Sequence, residues 1–401
     1  MDHIAIVGAS LAGLSAAEAV RGAGFGGTLT VLDAAPEIPS DRPPLSKQVL
    51  AGTMAPHDAR LPQASVLEDL DLDLRLGVGA TGFSAADRTL HLSDGSTLTA
   101  DGIVLATGGT PRRLPDAIGG SLEGVHVLRD LDHCLAIRED LGRAPRRVVV
   151  IGAGFIGAEV ASTSRELGLE VSMVEALPLP MQRVLPGEIG GFVAEVHRDH
   201  GVDVRLGVGV AALEGGDRVE RVRLTDGSTL DADVVVVGVG VSPTVDWLEG
   251  SGLTLDDGIV CDATCRAAPG VVAAGDLARW PNERYGEVMR VEQWEHAIEQ
   301  GTHAGRRLVA GDTGEVFAPI PWFWSDQYDR KIQVAGRVGP DDEVRVVVGS
   351  IEERRFVAMF RRGDRCTAVL GVNRPAQVIR ARMRMGEPGG LAWSDALTLY
   401  E

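Results

Sequence analysis

Gly152, Gly154 and Gly157 follow the apolar run Val148–Ile151, and Glu175 closes the next apolar run, Glu170–Glu175. Residues of these types in this order can hold a dinucleotide. The first glycine permits a tight bend, the second lets the backbone approach a pyrophosphate, and the third lets a helix pack on a strand. The helix that follows opens with Phe155 and Ile156. Its unpaired N–H groups and partial positive charge face the phosphates. An acid at the end of the second strand accepts ribose hydroxyls and repels a 2′-phosphate. No arginine stands immediately beside Glu175, Arg183 being several residues on, so NADH is expected over NADPH. A second constellation lies near the N-terminus: Gly8, Ser10 and Gly13, with Leu11 and Ala12 opening the helix and Asp33 closing the run Thr28–Asp33. Its middle glycine is a serine, and alone it could be an ordinary α/β turn. Asp33, about 20 residues past Gly13, makes it a second nucleotide site.

The elements around these turns repeat. Ile4–Gly13 is echoed by Val148–Gly157, each a β-branched run, a glycine turn and an alanine-rich helix. Asp94–Asp101 and the apolar run from Ile103 are echoed by Asp226–Asp233 and the run from Val234. Both read as a hairpin feeding a buried strand. Val271–Asp276 and a helix over Val291–Val309 read as the closing strand and helix of the first α/β unit, reached after the second is inserted. From about Pro319 the pattern changes to short alternating strands at Lys331–Ala335, Val344–Val348, Arg355–Phe360 and Thr367–Gly371, with a helix over Pro375–Met385.

The chain has 401 residues, 44% hydrophobic and 24% charged. That length suggests two or three domains. No apolar run reaches the roughly 20 residues a membrane helix needs. The run His3–Val7 leads straight into a glycine turn, so no secretory signal is read and the cytoplasm is expected. A net charge of -18 argues against nucleic acid and anionic membrane as partners. The four cysteines, Cys134, Cys261, Cys265 and Cys366, are too few for a disulfide framework and form no C-x-x-C. They read as structural thiols. Lys47 and Lys331 are the chain's two lysines. A lysine kept where arginine is the default cation suggests that a compact, tunable ammonium is needed. That argument favours Lys47, inside Pro43-Pro-Leu-Ser-Lys47; Lys331 is either a contact for an electron partner or a strand-edge charge.

Four further stretches are not generic: Asp41-Arg-Pro-Pro-Leu-Ser-Lys47, Ala106-Thr-Gly-Gly-Thr-Pro-Arg112, Gly275-Asp276 and Pro321-Trp-Phe-Trp-Ser-Asp-Gln-Tyr-Asp329. Together, over essentially the whole chain, they resemble the FAD-dependent, NADH-using ferredoxin reductases that serve oxygenases. The resemblance implies an α/β fold of two Rossmann-like, glutathione-reductase-like dinucleotide domains and a small α+β C-terminal domain. An FAD domain would comprise residues 1–111 and 240–318, an NAD domain 112–239, and a C-terminal domain 319–401 would screen the flavin. It further implies that FAD meets Gly8, Ser10, Leu11, Ala12, Gly13, Arg42, Thr107, Gly108, Arg129 and Gly275. Asp33 or Ala34 would lie at the adenosine ribose, Ala80 near the adenine, Asp276 at the ribityl or pyrophosphate, and Gln293 and Trp294 at the pyrimidine end. Lys47 would lie beside the isoalloxazine and face Glu159 across the nicotinamide pocket, with Gly240 also on the NAD side. Ser10 departs from the pattern, which puts the closeness of the pyrophosphate in question.

The implied chemistry is hydride transfer from NADH to FAD and single-electron delivery to an iron–sulfur ferredoxin that supplies a cytochrome P450 or another oxygenase. No iron–sulfur ligand set stands in the chain, so the cluster is expected on a partner. From Arg345 to Met385 there are ten arginines against Glu352, Glu353 and Asp364. This stretch is either a patch that steers an acidic ferredoxin or a solvated face paired with acids elsewhere. Two other functions compete. An NADH oxidase or disulfide reductase would need a redox cysteine early in the chain, where Met1–Arg129 has none. A non-enzymatic NADH-sensing flavoprotein would be expected to carry insertions or a basic surface.

Overall fold

The computed structural model describes residues 1–401 except 66, 144, 145, 183, 186, 312 and 313. The chain forms two compact units, Met1–Asp41 with Arg60–Thr110 and Ser242–Pro321, and Arg42–Ala59 with Pro111–Val241 and Trp322–Glu401.

The first unit is built on a six-stranded sheet in the order Arg266–Ala268, Val271–Ala273, Gly102–Leu105, His3–Val7, Thr28–Asp33, Asp73–Leu76. All neighbours are parallel except the Arg266–Ala268 edge. Ile4, Ala5, Ile6, Val31, Ile103 and Val104 are fully buried, as expected of strands covered on both faces. His3–Val7 is the strand at which the order reverses, so its C-terminal end opens a crevice. The helix Trp294–Ala310 lies on the helix Leu11–Gly22. A Cβ at Gly301 would stand 2.2 Å from the carbonyl oxygen of Ala12, and one at Gly305 2.5 Å from that of Ala16. The late helix therefore closes the first unit through glycine-permitted backbone contact.

The second unit repeats the plan with a five-stranded parallel sheet ordered Asp203–Leu206, Glu170–Glu175, Arg147–Ile151, Val234–Val237, Val125–Val127. It also holds a five-stranded antiparallel sheet ordered Trp322–Gln327, Arg330–Gly336, Arg365–Val372, Arg355–Arg362, Glu343–Ser350. Helices Pro375–Gly386 and Trp393–Thr398 follow. Buried side chains of both sheets, among them Val148, Met173, Phe356 and Phe360, share one apolar cluster with Phe192 of the helix Glu188–Asp199. Phe192 meets Phe356 edge-on at 5.2 Å. Four strands and the helix of the C-terminal region run slightly longer than their apolar cores suggested. Trp322–Gln327 is a fifth strand whose aromatic residues masked its alternation.

Among the described residues, no helix is long and apolar enough to cross a membrane.

Candidate functional site

The two glycine turns have nearly the same geometry. Gly8 has φ +111 and Gly152 φ +99. A Cβ at either would sit 2.3 Å from the Ala106 oxygen or 2.4 Å from the Gly238 oxygen. Cβ atoms at Gly13 and Gly157 would lie 1.8 and 2.0 Å from the carbonyl oxygens of Gly8 and Gly152. The first and third glycines are thus demanded by the protein's own backbone.

Each turn is clamped by its acid. Asp33 accepts from the N–H of Ala9 at 2.6 Å and of Ala35 at 2.8 Å. Glu175 accepts from the N–H of Ala153 at 2.8 Å and of Leu177 at 2.9 Å. The acid at the strand end fixes the strand-to-helix turn as well as standing where a ribose would come. Arg183, the nearest arginine considered for a 2′-phosphate, lies outside the described residues.

The middle position differs. Ser10 and Gly154 are both helix N-caps with extended backbone, φ -99 and -80, and neither helix has a side-chain cap. A Cβ at Gly154 would meet nothing within 4 Å. Neither φ nor packing asks for glycine there.

The remaining expected FAD residues of the first unit have these local partners. Gly275, at φ +80, donates its N–H to Gln300 Oε1 at 2.8 Å, and a Cβ on it would stand 3.0 Å from the Ala12 Cβ. Asp276 is buried, and its carbonyl accepts from Arg290 at 2.8 Å. Gln293 caps the Trp294–Ala310 helix, and its Oε1 is buried with no partner among the described residues. Trp294 donates Nε1–H to Asp41 at 2.8 Å. Thr107 donates to the Thr244 carbonyl at 2.9 Å, and the Gly108 carbonyl accepts from Thr244 N–H at 2.9 Å. Ala34 lies 3.1 Å from a Cβ at Gly79, and Ala80 opens the next strand. Gln300 also meets His296 Nε2 at 3.1 Å. Burial pushes the His296 imidazole down to about 4. Gln300 and His296, set deep in the helix, carried no recognisable sequence signal.

The second unit holds Lys47, Arg42, Arg129 and the NAD-side residues. Arg42 precedes the short helix Pro43–Ser46. Arg129 precedes Asp130, which caps the helix Leu131–Gly142 by accepting from His133 N–H. Gly240 has φ +109, and its carbonyl accepts from Arg112 N–H at 2.9 Å. Phe155, Ile156, Gly157 and Glu159 lie in the helix Phe155–Glu166.

Lys47 and Glu159 do meet. Lys47 Nζ is 2.6 Å from Glu159 Oε2, with side chains only 14% and 9% exposed. Ser46 Oγ donates to the same oxygen at 2.5 Å. Thr163, one turn on from Glu159, donates to the Ser46 carbonyl at 2.7 Å and ties the Lys47 segment to the helix. Ser325 Oγ donates to Glu159 Oε1 at 2.8 Å, and Gln327 Nε2 donates to Ser325 Oγ at 3.1 Å. Ser325 and Gln327 lie in the Pro321–Asp329 stretch, where no local pattern marks the link to Glu159.

The cysteines are all buried. Burial pushes the thiols of Cys134 up to about 11, Cys261 and Cys366 to about 12, and Cys265 well above its ordinary range. None is primed as a thiolate nucleophile.

The arginine-rich stretch is less uncompensated than its count suggests. Arg354 pairs with Asp199 at 3.0 Å, Arg361 with Glu343 at 2.6 Å, Arg362 with Asp342 at 2.8 Å, and Arg384 with Glu387 at 3.2 Å. These acids all lie outside the three counted against it. Arg345, Arg355 and Arg380 are exposed.

Two sheets with parallel cores, each carrying an acid-clamped glycine turn at a helix N-terminus, define a protein class with two dinucleotide-binding folds. The chain belongs to the pyridine nucleotide-disulphide oxidoreductase family, whose model matches residues 2–301. A reductase C-terminal domain model matches residues 322–391. Rhodocoxin reductase of Rhodococcus erythropolis is 35% identical over 94% of this chain and 88% of that protein. Putidaredoxin reductase of Pseudomonas putida is 35% identical over 94% and 90%. A solved covalent putidaredoxin reductase–putidaredoxin complex matches with TM-score 0.89 and 33% identity over 95% of this chain and 92% of that one.

Proposed function

We propose that this chain is a flavoprotein that carries electrons from NADH through FAD to an iron–sulfur ferredoxin serving an oxygenase. The observation that carries the reading is the near-buried Lys47–Glu159 pair, whose acid stands on the helix that starts at the second glycine turn. A disulfide-reducing relative would need a reactive cysteine, and every thiol here is buried and held protonated. The ferredoxin reductases among its relatives support the same assignment.

The residues present fit both dinucleotides. The first turn of each glycine-linked helix offers N–H groups with no side-chain cap, the position where pyrophosphate is bound. The open space at Gly154 leaves room for close approach. In the first unit, Gly8, Ser10–Gly13, Asp33, Thr107–Gly108, Gly275–Asp276 and Gln293–Trp294 would hold FAD. Gly152, Gly154, Gly157 and Glu175 would hold NADH. When bound, the nicotinamide supplies a hydride and the flavin converts it to single electrons. The protein's part is orientation and charge. Lys47 is assigned the positive charge at the point of transfer, and Glu159 holds that ammonium in place. We assign residues 1–111 and 240–318 to the FAD domain, 112–239 to the NAD domain and 319–401 to the C-terminal domain, and place the protein in the cytoplasm.

The ferredoxin carries the cluster. Steering charge is assigned to Arg345, Arg355 and Arg380 rather than to Arg361 and Arg362, whose guanidinium groups already face carboxylates. Stopped-flow mixing with NADH is expected to bleach the flavin, and cytochrome c reduction is expected to require added ferredoxin. Fast bleaching with no ferredoxin-dependent cytochrome c reduction would remove this function.

A further inference from the structure

The strand Trp322–Gln327 and the residue just past it meet the helix Phe155–Glu166 at three points along its length. Phe323 meets Phe155 edge-on at 4.5 Å. Ser325 Oγ donates to Glu159 Oε1 at 2.8 Å. Just past the strand, the Tyr328 N–H donates to Ser162 Oγ at 2.7 Å. Positions 155, 159 and 162 share one face of the helix, and 323, 325 and 327 share one face of the strand. Two periodicities thus come into register at the acid.

The direction of these bonds matters. The amide nitrogen of Gln327 can only donate, so Ser325 Oγ is an acceptor toward Gln327, and its own hydrogen is left for Glu159. Ser325 and Gln327 are both 0% exposed, so bulk water does not compete for that hydrogen. Ser46 and Lys47 load the other carboxylate oxygen. Without Ser325, Oε1 would lose its donor and the carboxylate could swing about its last torsion, which is broad and soft. Lys47 would swing with it.

We infer that Ser325, kept a donor by Gln327, is a positioning residue that fixes Glu159 and through it the Lys47 ammonium. The C-terminal region would then set the geometry of the nicotinamide-side acid. The inference rests on the reading of Lys47 and Glu159 proposed above.

The test uses the FAD-loaded full chain in wild type, Ser325→Ala, Lys47→Met and the double variant. Ser325→Ala should lower the limiting rate of flavin bleaching by NADH about tenfold, the loss expected for one hydrogen bond to a charged group. FAD content and melting temperature should stay near wild type. The visible-band change on adding NAD+, which involves no turnover, should shrink. In the Lys47→Met background, Ser325→Ala should add less than about twofold, because residues acting as one unit are not additive. Wild-type rates and NAD+ difference spectra in Ser325→Ala would overturn the inference, as would effects of the two changes that multiply. A melting temperature that falls while the limiting rate holds would mark Ser325 as merely structural and overturn it too. If NADH fails to bleach the wild-type flavin, the reading of function falls first and the inference with it.

Discussion

The turn at Gly8–Gly13 and the turn at Gly152–Gly157 agree in the position of two glycines, in an acid clamp on the following alanine N–H, and in an uncapped helix N-terminus. They differ at Ser10 and Gly154, where backbone angles are alike and the protein makes no demand. The glycines of such a motif therefore answer to two different parties. The first and third answer to the chain's own carbonyl oxygens, and the middle one answers to whatever approaches from outside. A degenerate middle position changes how the ligand is met and leaves the fold as it was.

The largest effect should come from adding a methyl at the third glycine. Gly13→Ala and Gly157→Ala place a Cβ within about 2 Å of a backbone oxygen, and each should cost more than about 4 kcal/mol. Protein from either is expected to be unfolded or to lose its own dinucleotide, read by melting temperature and FAD content. A well-folded Gly157→Ala protein that binds NADH normally would break the distinction.

Acid should act on both regions chiefly through their fully buried histidines, His296 and His197. Burial holds His296 and His197 down at about 4, from 6.5. Their neutral forms are favoured in the folded protein, so below pH 6.5 the unfolded chain takes up protons that the folded chain refuses. Stability should fall as pH drops from about 6.5 to about 4 and gain no further loss from these groups below that. Each contributes on the order of 3 kcal/mol across that window. Denaturant melts at pH 7 and 4.5 measure the drop, and His197→Gln should reduce it, His296 and the partly buried His303 keeping the rest; an undiminished slope would exclude His197.

Gly154→Ser copies the first turn into the second. It should leave the melting temperature within a degree or two and weaken NADH binding about tenfold, since only ligand approach is touched. Equal loss of stability and affinity would erase the difference drawn between the two turns. The reverse change, Ser10→Gly, should be the mildest, altering FAD affinity less than about twofold in an equilibrium release assay.

The duplicated plan was legible because glycine turns, strand runs and acids are local features with steep steric or electrostatic requirements. Asp33 and Glu175 were placed correctly at the strand ends, although their bonds to Ala9 and Ala153 depend on geometry that spacing does not contain. The meeting of Lys47 and Glu159 came from resemblance; no local pattern joins residues 112 positions apart. Ser325 was hidden within the Trp-Phe-Trp-Ser-Asp-Gln stretch, because its partner is a helix far away in the chain. The two readings of the arginine stretch could not be separated in sequence for the same reason. Four of its arginines are compensated by Asp199, Asp342, Glu343 and Glu387, which all lie outside it.

The glycine-permitted contact of the Trp294–Ala310 helix with Ala12 and Ala16 has a consequence in time. On the ribosome, the N-terminal helix is made first and its covering partner emerges nearly three hundred residues later. At roughly 5–20 residues per second that delay is about 15–60 s. Through that interval the nascent helix must keep an alanine-lined face uncovered, and a chaperone able to shield it is the expected companion of synthesis.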